Sequence, residues 1–530
     1  MRRWNGWGEE DVVYPLPKEA LGFLVAELGE SAPAPSVPAE GVPVPLPRLP
    51  DHPGVVYDPK ARLVHARGQS FADLAALRFG KVHNVPDGVA FPVCSSDIEE
   101  LLEWARGADA QVIPYGGGTS VTGGVNPVEN GKPVLTLSLE RMQALLELDQ
   151  KSHLASFEAG VQGPWLEAQL RANGFTLGHF PQSFAYSSLG GWVVTHSSGQ
   201  ESLGYGRIAD MFQGGRMITP AGRLDLPPHP ASAAGAELKH VVLGSEGCFG
   251  VLTEAVVRVR PLPEEQTFVG ALLPGFEAGL EAVRELIQAR VPLCMLRLSD
   301  AFETRVSFLL ANLGRFGGLA NRALRFRMPK GEQRCLLLYG AAGRRSDVAK
   351  ALQEAAAVVR THKGIGLGRV PGKSWQKSRF RLPYLRNALW EVGYGVDTLE
   401  TATAYSKLLP TYRAVMKAMQ GALATDNGRV YAMAHLSHGY ETGASLYFTF
   451  FFRLANGFEE TLACWRTIKH ASIQAILGQK ATLTHHHGVG SDHLSYMTEE
   501  KGEAGLSLLR SLKATLDPTG MLNPGKLLAR

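Results

Sequence analysis

The sequence has no CxxC pair and no HExxH, and its five cysteines, Cys94, Cys248, Cys294, Cys335 and Cys464, are odd in number and far apart. A disulfide framework needs paired cysteines and a structural zinc needs ligands at short spacing, so neither is expected; free thiols in a reducing compartment fit better. No stretch reaches the roughly 20 apolar residues of a spanning helix. The greasiest one, SLYFTFFFRL, closes on Arg453. The start, MRRWNGWGEED, lacks the apolar core of a secretory signal. A cytoplasmic setting is expected, with membrane contact at most peripheral. No charge sign dominates either: 54 Lys and Arg against 50 Asp and Glu leave a net +4. With no basic stripe interleaved with aromatics, nothing argues for a nucleic-acid partner, while an anionic small molecule remains compatible.

What is present is a soluble-type composition, 45% hydrophobic and 20% charged, spread over 530 residues, enough for two or three domains. PKEALGFLVAELG spaces Leu21, Leu24, Val25 and Leu28 as a helix does, and Gly29 stops it. Seven prolines in residues 31–50 then predict a stiff extended linker. Helices are expected at FADLAALRFG, IEELLEWARG, and GPWLEAQLRANG with Gly174 at its end. Strands are expected at VIPYG, VLTLSL, HLASFEAG, VVLG and GVLTEAVVRVRP. After Pro261 come helices such as DVAKALQEAAAVVRTH and strands such as CLLLYG and SLYFTFFF, then a last helix, GLSLLRSLKATLD. The expected division is 1–85, 86–265, 266–475 and 476–530. No internal repeat is seen.

PYGGGTSVTGGV, residues 114–125, sets three glycines just after a strand. Glycines let a backbone approach a ligand closely and turn several N–H groups to one point, an anion nest suited to a pyrophosphate. The loop has no Gly-Lys-Ser/Thr and no following helix, so it is neither a triphosphate loop nor a GxGxxG. A plain glycine-rich turn is the other reading. PQSFAYSSLGGWVVTHSS (181–198) and GSEGCFG (244–250) repeat the small-residue texture. Three such stretches suggest one large ligand wrapped by backbone, and a dinucleotide has that shape.

TLTHHHGVG (482–490) carries His485, His486 and His487. It reads as a strand running into a turn, which would put His485 and His487 on one face and His486 on the other. One contiguous run supplies two ligands at most, so no metal is expected, even with His435 and His438 nearby in HLSH. Proton transfer, or a polar strand end bonded to backbone, are the readings left.

In their order, PYGGGTS, PQSFAYSSLGGWVVTHSSG, GSEGCFGVLTEAVVRVRP, HHHGVG and NPGKLL resemble the vanillyl-alcohol-oxidase type of FAD flavoprotein. RRWNGWG, FRLPYLRN, AHLSHGYETGASLYF and HHHGVG narrow the resemblance to the alkylglycerone-phosphate synthase family, over residues 2 to 528. The resemblance implies an α+β fold: a two-part FAD-binding domain of the PCMH type, a cap domain with an antiparallel sheet and helices, and a C-terminal segment returning to the flavin. It implies non-covalent FAD. Pro114, Tyr115, Gly116, Gly117, Gly118, Thr119 and Ser120 would hold the pyrophosphate side. Gln182, Ser183, Phe184, Ala185, Tyr186, Ser187 and Ser188, then Thr195, His196, Ser197 and Ser198, then Gly244, Ser245, Glu246, Gly247, Cys248, Phe249 and Gly250, would line the rest. Tyr447 would transfer the proton, with His485, His486 and His487 beside substrate and flavin. Arg386 and Arg297 would bind substrate. The reaction implied replaces the acyl group of acyl-dihydroxyacetone phosphate by a fatty alcohol, without net redox. A homodimer is compatible.

Other readings stand beside these. Tyr447 lies in an apolar strand, where a core tyrosine with a bonded hydroxyl is the default. Arg386 could be an ion-pair partner, and Arg297 reads as structural rather than catalytic. Residues 315–334, RFGGLANRALRFRMPKGEQR, suit either a membrane-facing segment or a solvated loop. Two features depart from the family: Asn387 stands where animal members carry an acidic residue, and neither terminus shows a peroxisomal address, so a non-peroxisomal setting is expected. An FAD-linked oxidase or dehydrogenase of a hydroxy acid or alcohol is the alternative activity. A non-catalytic flavin- or lipid-binding protein is a further one, disfavoured because a binding module needs no proton relay.

Overall fold

The computed structural model describes residues 2–310, 333–424 and 428–529. Its architecture is α+β, as the sequence texture predicts. Strands Val55–Val56, Gly88–Ala90, Val134–Ser138 and Gln111–Tyr115 stand side by side in that order, the last three parallel. Parallel strands are covered on both faces, and Val89, Val112, Ile113, Leu135 and Leu137 are accordingly all buried. Helix Ser95–Gly107 spans the crossover and buries Ile98, Leu101, Leu102 and Ala105, the i, i+3, i+4, i+7 stripe of an amphipathic helix. The chain's end returns here: Val112 donates to Met521 O at 2.9 Å and accepts from Asn523 N at 2.9 Å.

A five-stranded antiparallel sheet follows, ordered Leu145–Asp149, Leu154–Glu158, Val251–Arg258, Phe212–Thr219, Gly222–Leu226. It shares one apolar core with the first sheet. The third sheet is larger: seven antiparallel strands, Ile365–Gly368, Glu265–Leu273, Cys335–Gly343, Met295–Ser299, Val430–Gly439, Gly443–Arg453 and Tyr394–Ala404. Period-2 alternation divides its faces. On strand Gly443–Arg453, Leu446, Phe448, Phe450 and Phe452 enter a core shared with helices Phe276–Gln288, Arg345–Thr361, Tyr405–Gly421 and Phe458–Gly478. Tyr447, Thr449 and Phe451 face a cavity instead.

Residues 31–50 are extended apart from one turn at Ala39–Gly41, as seven prolines require, yet they are strapped down. Val37 N donates to Arg78 O at 2.9 Å and the Trp390 indole N–H to Pro35 O at 2.8 Å. Two strand expectations fail. VVLG is the end of a helical turn, Lys239–Val242, stopped by Gly244 at φ 78°; burying Val242 and Leu243 needs no sheet. TLTHHH is no strand either, for a reason that lies in the site. Of the stretch 315–334, residues 315–332 lie outside the described residues.

Candidate active site

The cavity lies between the glycine-bearing loops of the first half and the open face of the seven-stranded sheet, with about 2150 Å³ of space between atoms, part of it open to solvent. On the loop side it is lined by Pro114 through Ser120, Gln182, Ser183, Ser187, Ser188, Thr195, Ser197, Ser198, Glu246, Gly247 and Gly250. The glycines are there because the loops nearly touch. A Cβ at Gly117 would lie 1.8 Å from Tyr186 O, and one at Gly116 2.3 Å from Ser188 Oγ. Phe184, Ala185, Tyr186, His196, Gly244, Ser245, Cys248 and Phe249, also expected at the cofactor, are not among the residues that line the cavity. They stand behind it: strictly alternate exposure is not available to a tightly turning loop. Phe184 stacks on Phe380 at 5.2 Å, and Tyr186 meets Trp7 edge-on at 5.5 Å.

Register builds the opposite wall. Tyr447 is paired directly with Glu400 on one neighbouring strand and with His435 on the other, so the three side chains form one row across the sheet. His435 stacks on the Tyr447 ring at 4.9 Å, and His487 meets it edge-on at 5.4 Å. Burial pushes the Tyr447 phenol up to about 12, with a Thr398 hydrogen bond acting against it. The phenol therefore enters the neutral range protonated and needs a neighbouring base to act as one.

Glu400 explains why the histidine run is not a strand. One carboxylate oxygen, Oε1, accepts from the backbone N–H of His485 at 2.7 Å, His486 at 2.8 Å and His487 at 3.1 Å, and from the Thr484 hydroxyl at 2.8 Å. A strand sends successive N–H groups opposite ways; three converging on one anion form a nest. Side-chain alternation is lost with it. His486 and His487 line the cavity, whereas His485 turns to the Tyr440 hydroxyl at 2.5 Å. Burial alone would raise the Glu400 carboxyl, but the three imidazoles hold it well below the usual carboxylate range. Burial pushes His485 down to about 3 and His487 well below its ordinary value. The nitrogens of His438, His485 and His486 come within 4.8 Å of one another. They are already engaged: His485 Nδ1 with His486 Nδ1 at 2.8 Å, and His438 Nδ1 with the Ser202 hydroxyl at 2.9 Å.

Arg386 faces the cavity and donates to Gln69 O at 2.5 Å. No carboxylate among the described residues forms an ion pair with it, so most of its donor fork is open to an anion. Arg297 also lines the cavity, but its guanidinium donates to Glu303 Oε1 at 2.9 Å, with His435 Nδ1 3.2 Å away. Its charge is thus paired with Glu303, through Nη2. Glu246, at φ 50°, accepts from Val489 N at 2.6 Å and Gly490 N at 2.8 Å, clamping the loop wall to the histidine turn.

The family described as "FAD binding domain" matches residues 86–225, and "FAD linked oxidases, C-terminal domain" matches residues 262–527. An alkyldihydroxyacetonephosphate synthase of Trypanosoma brucei brucei is 35% identical over 479 residues, 89% of this chain and 78% of that protein. One from Dictyostelium discoideum is 31% identical, covering 99% of this chain and 93% of its own. The chain belongs to the alkyldihydroxyacetonephosphate synthase family. A solved alkyldihydroxyacetonephosphate synthase superposes with TM-score 0.86 at 29% identity, over 99% of both chains.

As a member of this synthase family the protein is an FAD enzyme. The cavity fits the cofactor on its own evidence. Its loop wall is backbone and small hydroxyls from three glycine-bearing stretches, and the Ser198 hydroxyl, buried and without a hydrogen-bond partner, belongs to the lining.

Several residues of this synthase site escape a sequence reading. Glu400, on strand Tyr394–Ala404, and Glu303, on helix Ala301–Leu310, anchor the histidines and Arg297; a carboxylate set among apolar residues is the signal that could have found them. Trp7 lines the cavity, 380 positions from the residue that holds it: its N–H donates to Asn387 Oδ1 at 3.0 Å and its carbonyl accepts from Asn387 Nδ2 at 2.8 Å. An acidic residue could not make the second bond. The Asn387 departure thus acts on the N-terminal segment, next door to Arg386.

Proposed function

We propose that this enzyme replaces the acyl group of acyl-dihydroxyacetone phosphate by a long-chain fatty alcohol, yielding alkyl-dihydroxyacetone phosphate and a fatty acid without net redox. The observation that carries the reading is the meeting, in one cavity, of an arginine with no ion-pair partner and a tyrosine flanked by histidines. Arg386 would bind the phosphate dianion through two parallel N–H bonds. With the phosphate held there, the carbon between carbonyl and ester is presented to Tyr447, His486 and His487. Loss of a proton from that carbon is favoured by its carbonyl, and His486, beside the Glu400 carboxylate, serves as the base. Tyr447, still protonated, donates to the oxygen on which charge develops. FAD, when bound, supplies a ring system that takes up and returns the fragment's electron pair, so that one oxygen substituent leaves and another enters.

Apolar residues support a lipid substrate: Leu296, Leu385, Val396, Met433 and Phe451 line the same cavity. No described helix is long and apolar enough to cross a membrane. We read the enzyme as meeting its lipids at a peripheral membrane surface, and a homodimer is compatible. We also retain the division 1–85, 86–265, 266–475 and 476–530; the start of the seven-stranded sheet at Glu265 supports the middle boundary, whereas strand Val55–Val56 pairs across the first and helix Phe458–Gly478 runs through the last.

The test is anaerobic. FAD-loaded protein is mixed with acyl-dihydroxyacetone phosphate while flavin absorbance and free fatty acid are followed. Bleaching with fatty acid release, and recovery of colour on adding hexadecanol with no electron acceptor, is expected. Flavin reduction by a hydroxy acid, with reoxidation only by a dye or quinone, would replace this reading by the oxidase one.

A further inference from the structure

A hydrogen-bonded chain runs from the cavity wall to a half-buried tyrosine. His486 lines the cavity, and its Nδ1 lies 2.8 Å from Nδ1 of His485. Nε2 of His485 lies 2.5 Å from the Tyr440 hydroxyl. Tyr440 is half-buried, just past strand Val430–Gly439, with the Arg207 guanidinium 5.6 Å over its ring.

Valence restricts what this chain can do. Burial keeps His485 neutral, with Glu400 favouring protonation and Arg207 opposing it. A neutral imidazole has one N–H and one bare nitrogen. Since both nitrogens of His485 are bonded, it must accept at one and donate at the other. Two arrangements satisfy this. In the first, Tyr440 donates to His485 Nε2 and His485 Nδ1–H donates to His486 Nδ1, which puts the His486 proton on Nε2. In the second every bond is reversed, and His486 Nε2 is bare. Nε2 of His486 has no hydrogen-bond partner among the described residues. The same ring is thus an acid toward the cavity in one arrangement and a base in the other.

We propose that Tyr440, His485 and His486 form a proton wire between cavity and solvent that resets His486 between base and acid. The proposal rests on the synthase reading and deepens it. A proton leaving substrate carbon goes to His486 Nε2, and the electron pair of the C–H bond stays on carbon. The Nδ1 proton of His486 passes to His485 Nδ1. The Nε2 proton of His485 passes to the Tyr440 oxygen, whose own proton goes to water. One proton has crossed and no charge remains on the wire; the reverse order delivers one. Glu400 Oε2, 3.3 Å from His486 Nδ1 and 3.5 Å from His485 Nδ1, stabilises the charge in transit. The His438 ring, stacked on His485 at 5.1 Å, and Arg207 disfavour a second charge, so the wire conducts without storing.

The test uses FAD-loaded protein and acyl-dihydroxyacetone phosphate with both hydrogens of the reacting carbon replaced by deuterium, in ordinary water with hexadecanol. Wild type should lose the abstracted deuteron to solvent. Tyr440→Phe should return it, raising the doubly labelled product several-fold while binding FAD normally. Tyr405→Phe is the control: it removes a hydroxyl bonded to Tyr440 O at 2.8 Å but outside the wire, and should leave retention unchanged. Equal retention in Tyr440→Phe and wild type would overturn the wire. If wild type releases no fatty acid, the synthase reading itself fails. The wire then stands or falls on wild-type FAD-loaded protein labelled with ¹⁵N-histidine. A nitrogen–nitrogen coupling across the His485–His486 hydrogen bond is expected, and its absence would reject the proposal even if Tyr440→Phe does not fold.

Discussion

The cavity has two walls of different make. The loop wall, from residues 114–120, 182–198 and 246–250, presents backbone and small hydroxyls packed so closely that a methyl group at Gly117 would strike Tyr186 O. The sheet wall presents large titratable side chains, each held by a neighbour: Glu400 under the histidines, Glu303 under Arg297 and His435. Backbone recognition is broken by volume. Side-chain chemistry is broken by the loss of one polar atom. The two walls should therefore fail differently.

The largest contrast should come from Tyr447→Phe. Removing one placed donor to a developing negative charge costs about 10²–10³-fold, so fatty acid release should fall by that order while flavin absorbance per protein stays at the wild-type level. Turnover within twofold of wild type would remove Tyr447 from the chemistry. Gly117→Ala is the converse. Overpacking against Tyr186 O costs about 1–3 kcal/mol or more and displaces the loop wall, so FAD should bind more weakly; titrating FAD into apoprotein reads it directly. If both variants lose flavin alike, the distinction between the walls is wrong.

Asn387→Asp should cost about 1–3 kcal/mol, because Trp7 O loses its donor and faces an oxygen instead. Chemical denaturation measures that cost. Weaker quenching of tryptophan emission by bound FAD would show Trp7 released from the cavity edge. An unchanged midpoint would make the pairing incidental.

A pH effect belongs to the scaffold behind both walls. His179, His485 and His493 are pushed down by burial to about 3, about 3 and about 4. Their folded values lie below the unfolded one, so on acidification the unfolded chain binds protons first. Stability is full above pH of about 6.5 and is lost as pH falls toward 4, by at most about 1.4 kcal/mol per pH unit for each ring. His179, against the Ser197 hydroxyl at 3.2 Å, lies outside the proton chemistry. His179→Gln should flatten the fall of Tm between pH 6.5 and 4; an unaltered slope would place the linkage elsewhere.

The loop wall was the more legible one. PYGGGTS, the Gly190-Gly191 pair and GSEGCFG mark places where only a bare backbone fits, and glycine is a local signal. Which of their residues face inward was not legible, since Tyr186 and Cys248 turn away in loops with no fixed period. On the sheet wall Tyr447, the histidine run and Arg386 could be named but not arranged. TLTHHH has strand composition, and only Glu400, 85 positions upstream of His485, gathers its N–H groups into a nest. Arg297 could be read as structural, but the carboxylate that pairs with it, Glu303, was not legible.

By itself the sequence determined the α+β class, the family, the three backbone stretches for a dinucleotide and the residue types for proton transfer. All of these rest on local composition, short-range periodicity or motif order. The tertiary structure decided which imidazole faces the cavity, which arginine is free to bind an anion, and how Trp7 and Asn387 close the edge. Each depends on a contact between residues distant in the chain, set by strand register and by buried carboxylates that must satisfy whatever donors the fold brings to them.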